Sequence, residues 1–548
     1  MPTPFSAPTR FLQSRIGYAT VCGMLLAAVY NQAFWTRFVE AMPITSARDG
    51  LFVVLLFVFL AWFHTAVLLL APGRRAMRCL AAALFLTASI CAYFTDTLGI
   101  IIDKDMIRNV MQTDVTEASS LLNVKLVAYV VLLGVLPAWA AFKVPLHPSP
   151  WKRELARRAV FGVLSGAVLL VALLPFTGHL ASFIREHRPL RAMINPASVL
   201  YASATFLRTE WRSAPTVVVD MDGDETRAPG SMGIRPLLVV LVVGETARAS
   251  DFQLYGHGRS TNPRLSALDD LYRFERVASC GTATAISLPC MFSGLGRDNF
   301  DVTVAQGRTN LLDSVAAAGV SVEWRNNNSG CKGICGRVPT VNMSSDVSKD
   351  LCTQDYCFDE ILLTGLESSI ASTSGDQLKV LHQIGSHGPA YWRRYPKRFE
   401  VFTPSCESTN LSSCSLDEIH NAYDNTILYT DYVLGELIDK LKKLSDRYDS
   451  LVLYVSDHGE SLGEKGVYLH GAPYMIAPLN QTHVPMLMWM TPGYQRRFSI
   501  DTACLRQMQG RSLSHDNVYH TVLGAVGVSN KRYDASQDVV AGCRGTGR

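Results

Sequence analysis

Three short stretches of this 548-residue chain carry side chains able to hold a metal ion beside a hydroxyl. Residues 280–290 read CGTATAISLPC, two cysteines bracketing Thr282, Thr284 and Ser287. Glu245 follows the apolar run LLVVLVV (237–243), and Asp457 and His458 follow LVLYVS (451–456). Carboxylate and imidazole groups presented from separate strand ends suit zinc or manganese and leave a coordination position open for a reacting oxygen. One such acid alone is better explained as a helix cap or a surface charge. Adjacent Asp457 and His458 with Glu245 also at hand favour the metal, and a hydroxyl is then the missing ligand.

The elements that must position these groups follow from patterning. The β-rich runs at 237–243, 320–324, 378–384, 451–456 and 484–490 alternate with helical patterns, including 311–319 and Leu416 to Leu444. This alternation predicts a mainly parallel sheet with helices on both faces, where ligands gather beyond the carboxyl ends of the strands.

The first third is different. Five apolar stretches, Ile16 to Phe34, Leu51 to Leu70, Cys79 to Ile101, Val124 to Phe142 and Ala159 to Leu180, each approach the ~20 residues that a helix needs to cross a bilayer. The overall hydrophobic content of 48% agrees. Basic residues concentrate in alternate connections: Arg10 and Arg15, then Arg74, Arg75 and Arg78, then Lys143, Lys152, Arg153, Arg157 and Arg158. That side is cytoplasmic by the positive-inside rule, so everything after the fifth span lies outside. The first span is expected to remain as an anchor. A formal charge of +4 over this length excludes nucleic acid as an expected partner.

Cysteines test the topology separately. Cys22, Cys79 and Cys91 fall in or beside spans, whereas ten lie beyond residue 279. Eight of these form close pairs in sequence: Cys280/Cys290, Cys331/Cys335, Cys352/Cys357 and Cys406/Cys414. Zinc is the rival reading of such clusters, but no C-x2-C pair repeats at finger spacing. A paired set suits an oxidising compartment, with connectivity left open and Cys504 and Cys543 available for a fifth bridge. The expected organisation is a transmembrane domain over 1–180, membrane-surface helices and a linker over 181–235, and a periplasmic catalytic domain over 236–548. Within the middle part, residues 215–235 read as an exposed connection.

The segments VVGETARASDFQLYGHGRSTNPRL, CGTATAISLPCMFS, GSHGP, YVSDHGESLGE and YLHGAPY together resemble the lipid A phosphoethanolamine transferases, including the mobile colistin-resistance enzymes. The resemblance spans the whole chain. It implies five membrane helices followed by an α/β domain of the alkaline phosphatase and sulfatase type. It also implies Thr284 as nucleophile, a zinc site of Glu245, Thr284, Asp457 and His458, and substrate or second-zinc binding by His387 and His470. Asn328 and Lys332, in WRNNNSGCKG, match the segment that contacts the phosphoethanolamine group. A bound dication would lower the pKa of the threonine hydroxyl, and the helix start after Thr284 would favour an anionic phosphoryl group.

The function so implied is transfer of phosphoethanolamine from phosphatidylethanolamine to a lipid A phosphate through a covalent threonine intermediate. The enzyme is expected in the inner membrane, as a monomer in contact with lipid, and would confer polymyxin resistance. Alternatives are a core heptose or glucan acceptor, a phosphoglycerol donor, or a non-catalytic sensor or scaffold, against which the intact Glu245, Thr284, Asp457 and His458 argue. Thr282 and Ser287 are expected to make local hydrogen bonds. His382 is expected to pack within a strand and His257 to sit in a turn, while His483 is left open.

Overall fold

Apolar residues at nearly every position, and not along one stripe, decide the N-terminal region. The computed structural model describes residues 11–113, 118–119, 121–185, 188–212, 218–220, 223–228, 233–353 and 356–545; Arg10 lies outside them. Four described helices are long and apolar enough to cross a membrane: α2 (Ala47–Leu69), α3 (Arg74–Leu98), α4 (Val124–Lys143), and α5 (Trp151–Leu173), which runs on toward Leu180. They are preceded by a shorter apolar helix, α1 (Arg15–Val29). The expected first span, Ile16 to Phe34, is therefore not continuous. Its helix stops at Val29, and a second begins at Gln32 and runs to Ala41. Buried Asn31 explains the break. Its Nδ2 donates to the carbonyls of Leu26 and Asn195, and its Oδ1 accepts from the Asn195 amide at 2.7 Å. A side chain that binds main-chain groups in this way competes with the helix ladder.

After the spans, helices cover Thr177–Arg185 and Ala197–Arg212. Of the connection expected over 215–235, residues 215–217, 221–222 and 229–232 lie outside the described residues; Thr226–Arg227 pairs antiparallel with Val528–Ser529. The chain divides into two compact units. One holds residues up to Ile107 with Leu122–Arg208, and the other holds Arg108–Leu121 with the chain from Thr209 onward.

In the second unit a seven-stranded sheet forms from β1 (Leu237–Gly244), β2 (Leu271–Phe274), β3 (Ser321–Asn326), β4 (Thr340–Asn342), β5 (Gln377–His382), β6 (Asp449–Ser456) and β7 (Met486–Met490). Their spatial order is β2-β7-β6-β1-β5-β3-β4. The run β6-β1-β5-β3-β4 is parallel, and β7 is antiparallel to both of its neighbours. The edge strands β2 and β4 carry no apolar run of their own and escape a reading of periodicity.

Every residue of β1 is buried, as a strand covered on both faces requires. Val239, Leu241 and Val243 pack in one cluster with Leu451, Leu453 and Val455 and with residues of α6 (Thr284–Ser293) and α8 (Asp516–Ala525). By the period of two, Leu238, Val240 and Val242 turn to the other face. The long helix α7 (Leu416–Lys443) begins at a Ser415/Glu418 capping box and buries Tyr423, Ile427, Leu434 and Leu437. All ten cysteines beyond residue 279 are joined, as Cys280–Cys290, Cys331–Cys335, Cys352–Cys357, Cys406–Cys414 and Cys504–Cys543, while Cys22, Cys79 and Cys91 are free.

Candidate active site

The parallel strands deliver their next residues to one edge of the sheet. Glu245 follows β1, Asp457 and His458 follow β6, Asn328 stands two residues beyond β3, and His387 lies five beyond β5. Thr284 is the first residue of α6; the Ile286 and Ser287 amides donate to the carbonyl of its cap residue Ala283, so the amides of Thr284 and Ala285 are the ones at the helix start with no helical carbonyl to meet. Thr284 Oγ1 lies 3.2 and 3.1 Å from the Glu245 carboxylate oxygens and 3.4 Å from His458 Nε2. His458 Nε2 is 3.3 Å from Glu245 Oε1 and 3.4 Å from Asp457 Oδ2. Glu245, Asp457 and His458 are wholly buried.

The donor set fits a dication. Its members are spaced like the corners of a small polyhedron, close to the ~3.4 Å edge of a tetrahedron with ~2.1 Å bonds to zinc. His458 Nδ1 is 2.9 Å from the Gly459 carbonyl, which makes Nδ1 the protonated nitrogen and leaves the Nε2 lone pair facing the two carboxylates. Asp457 Oδ2, although buried, accepts no hydrogen bond among the described residues. Electrostatics agree. Burial, then the charge of Glu245, push the Asp457 carboxyl well up. Burial also opposes the charge of Glu245, but with no metal bound a doubly protonated His458 outweighs it through its hydrogen bond and charge and holds that carboxyl well down. Two buried carboxylates so close together need positive charge between them, which a metal ion supplies more fully than one imidazolium.

The main chain around Glu245 is held under constraint. Thr246 has φ of +58°, a conformation that β-branched residues rarely adopt, and its amide donates to Asp457 Oδ1. The Tyr423 hydroxyl clamps the same turn, donating to the Thr246 carbonyl at 2.7 Å and accepting from the Arg248 amide at 3.0 Å. Gly385 passes so close that a Cβ there would lie 2.5 Å from the Glu245 carbonyl oxygen.

Asn328 joins the group directly, its Nδ2 donating to Glu245 Oε2 at 2.9 Å and to the Gln383 carbonyl at 2.8 Å. Lys332 Nζ instead bonds Ser329 and, at 3.3 Å, the Gln112 carbonyl. The His387 and His470 rings lie 5.2 Å apart, and His470 is 4.5 Å from the His458 ring. Glu460, fully buried, stands 3.3 Å from His470 Nδ1 and accepts from the Tyr391 hydroxyl.

Two expectations are overturned. Thr282 and Ser287 do not bond locally: Thr282 Oγ1 donates to the Ala472 carbonyl at 2.6 Å, and Ser287 Oγ donates to the Asp457 carbonyl. Both hydroxyls sit on a loop whose neighbours come from far along the chain, so the nearest acceptors are not its own. Sequence reasoning also passed over Glu460, although it stands in the same DHGE segment as Asp457. It missed His515 altogether. That buried ring accepts from the Cys280 amide at Nδ1 (3.1 Å) and donates from Nε2 to the Ser456 carbonyl (2.9 Å), tying the nucleophile loop to the end of β6. No local pattern marks it.

The remaining histidines do other work. His382 Nδ1 lies 2.9 Å from Asn326 Oδ1 and its ring packs edge-on to Trp324. His257 sits just after the Gln253–Tyr255 turn and contacts Asp424, which Arg259 also pairs. His483 meets the Glu275 carbonyl.

Comparison with known proteins places this geometry. Residues 238–528 match the sulfatase family, and residues 55–211 match the family described as phosphoethanolamine transferase EptA/EptB. The chain is 39% identical over 542 residues to phosphoethanolamine transferase EptA of Salmonella typhimurium, covering 98% of this chain and 99% of that protein. It is 37% identical over 526 residues to phosphatidylethanolamine transferase Mcr-1 of Escherichia coli, covering 94% of each. The solved structure of the integral membrane lipooligosaccharide phosphoethanolamine transferase A of Neisseria meningitidis superposes with a TM-score of 0.92 at 36% identity, over 96% of this chain and 98% of that one.

Proposed function

Since this chain belongs to the phosphoethanolamine transferase family, we propose that it transfers phosphoethanolamine from phosphatidylethanolamine to a phosphate of lipid A at the periplasmic face of the inner membrane. The observation that carries the reading is Thr284 Oγ1 held within 3.4 Å of Glu245 and His458 at the start of a ten-residue helix.

In this reading Glu245, Thr284, Asp457 and His458 hold one zinc ion, and a second could be held near His387 and His470 with Glu460 beside them. When bound, the ion supplies charge that lowers the pKa of a nearby hydroxyl and offsets that of the incoming phosphate. The Thr284 oxygen attacks the phosphorus of the donor lipid. Its proton is lost to solvent as the hydroxyl ionises, the P–O bond to diacylglycerol breaks, and His387 or His470 protonates the leaving alkoxide. A lipid A phosphate oxygen then attacks the same phosphorus, the bond to Thr284 breaks with its electron pair on the threonine oxygen, and that oxygen takes a proton back from solvent. Free amides at the start of α6 stabilise the phosphoryl oxygens in both steps. Asn328 orients Glu245 and, with Lys332, borders the path of the phosphoethanolamine group. Added ethanolamine reduces the negative charge of the outer surface and so weakens its binding of cationic peptides such as polymyxin.

The test is mass spectrometry of lipid A from cells with and without the gene. A mass increase of one phosphoethanolamine group, dependent on the gene, is expected. Unchanged lipid A with modified core sugar or glucan would assign a different acceptor.

A further inference from the structure

The first unit carries a groove of about 860 Å³ between α2 and α5, bounded by Trp62, Gly162, Gly166 and Leu170 along its length and by Arg15 and Arg158 at one end. That end belongs to the side where basic residues collect, which is the cytoplasmic one. From Arg158 to Leu170 the helix rises about 18 Å, close to the ~15 Å depth of one leaflet. The floor is built by Trp62, whose indole donates to Ser165 Oγ at 3.0 Å and lies against Gly166. Gly162 leaves the groove open, since a Cβ there would meet nothing within 4 Å.

The charged end is short of anions. Arg158 is 93% buried in its side chain (7% exposed) and donates to Glu154 and to the carbonyls of Leu69 and Ala71, yet its Nη2 has no hydrogen-bond partner among the described residues. Arg15 Nε is likewise without one and stands 3.9 Å from Glu154. Glu154, the one acid among the groove residues, is already engaged by Arg158 and by Ser149 at 2.6 Å. Two guanidinium groups thus face one carboxylate at the mouth of an apolar slot one leaflet deep.

We propose that this groove binds an anionic glycerophospholipid of the cytoplasmic leaflet, its phosphodiester on Arg158 and Arg15 and one acyl chain lying past Gly162 and Trp62 toward Leu170. Basic pockets between helices on the cytoplasmic side are suited to anionic headgroups. The mouth favours a net-negative lipid over a zwitterionic one. Arg153 and Arg157 flank the same end of α5, and the Trp151 ring that could receive an ammonium already has Lys152 Nζ 5.6 Å from its centroid. The occupant therefore differs in headgroup from the donor lipid of the transfer reaction and belongs to the opposite leaflet.

The experiment titrates delipidated full-length protein in neutral detergent with phosphatidylglycerol, phosphatidylethanolamine or phosphatidylcholine and counts retained lipids by native mass spectrometry. Phosphatidylglycerol should be retained at a concentration at least about tenfold lower than either zwitterionic lipid, a difference of one decade in affinity. Gly162→Leu puts a side chain into the open groove at a position where its Cβ meets nothing within 4 Å, and Arg15→Gln removes charge without removing the carbonyl caps that Arg158 provides. Each should weaken phosphatidylglycerol retention by about tenfold or more, again one decade. Equal retention of the three lipids by the wild type, or wild-type retention of phosphatidylglycerol by either variant, overturns the assignment.

Discussion

Replacing Cys280 and Cys290 together by serine separates the two services that their disulfide performs. The bridge closes a sequence separation of ten, for which the chain-entropy relation gives about 2.7 kcal/mol at 25 °C. A domain of about 310 residues has an unfolding entropy near 0.65 kcal/mol/K, so the melting temperature should fall by about 4 °C. The catalytic effect should be larger. Pro289 lies inside α6 and removes one hydrogen bond from that helix, which leaves its first turn dependent on external ties. Those remaining include Thr282 Oγ1 to Ala472, the Gly471 amide to Thr282 at 2.7 Å, Ser287 Oγ to the Asp457 carbonyl, and the Cys280 amide to His515. Thr284 Oγ1 is now 3.1 Å from Glu245; a drift of ~1 Å takes it out of hydrogen-bond range, and an error of that size costs ~100-fold in rate. Zinc content, thermal unfolding and phosphoethanolamine transfer should be measured on one preparation of the double mutant. Full turnover in folded protein would refute the view that the cysteines hold the nucleophile in place.

Thr284→Ala should abolish transfer and leave a folded protein with reduced metal content, because Glu245, Asp457 and His458 persist; retained modification of lipid A would remove Thr284 from its role. Chelation should eliminate transfer and lower the melting temperature, with both recovered on adding zinc, since Glu245 and Asp457 are otherwise two buried carboxylates at close range. His515 should make stability pH-dependent. Burial lowers its pKa to about 4, against ~6.5 in the unfolded chain, so its contribution is fully present above pH 6.5 and is lost as pH falls toward 4. The loss is about 3 kcal/mol at 1.36 kcal/mol per pKa unit. Urea midpoints at pH 7 and pH 4.5 should therefore converge more in His515→Gln than in wild type, and identical slopes in the two proteins would contradict the buried neutral imidazole.

Much of this molecule is legible in its sequence because the governing signals are local. A bilayer demands about twenty apolar residues in succession, so α2 to α5 announce themselves. A strand covered on both faces demands a continuous apolar run, so β1 and β6 do likewise, and the residue after each run must stand at the sheet edge where Glu245 and Asp457 are found. What the local pattern lacks is knowledge of partners. Asn31 reads as one polar residue in an apolar span, yet Asn195, 164 residues away, makes it a helix end. Thr282 and Ser287 look able to serve their own loop, and their acceptors arrive from residues 472 and 457. His515 shows no motif because its use is to join two segments that are neighbours only once β6 and α6 have packed. The amino-acid pattern thus determines which elements form and what their ends carry, because those depend on solvent and on spacing along the chain. Tertiary structure decides which hydrogen-bonding groups meet across the sheet edge, because a buried polar atom takes the acceptor that packing brings within reach.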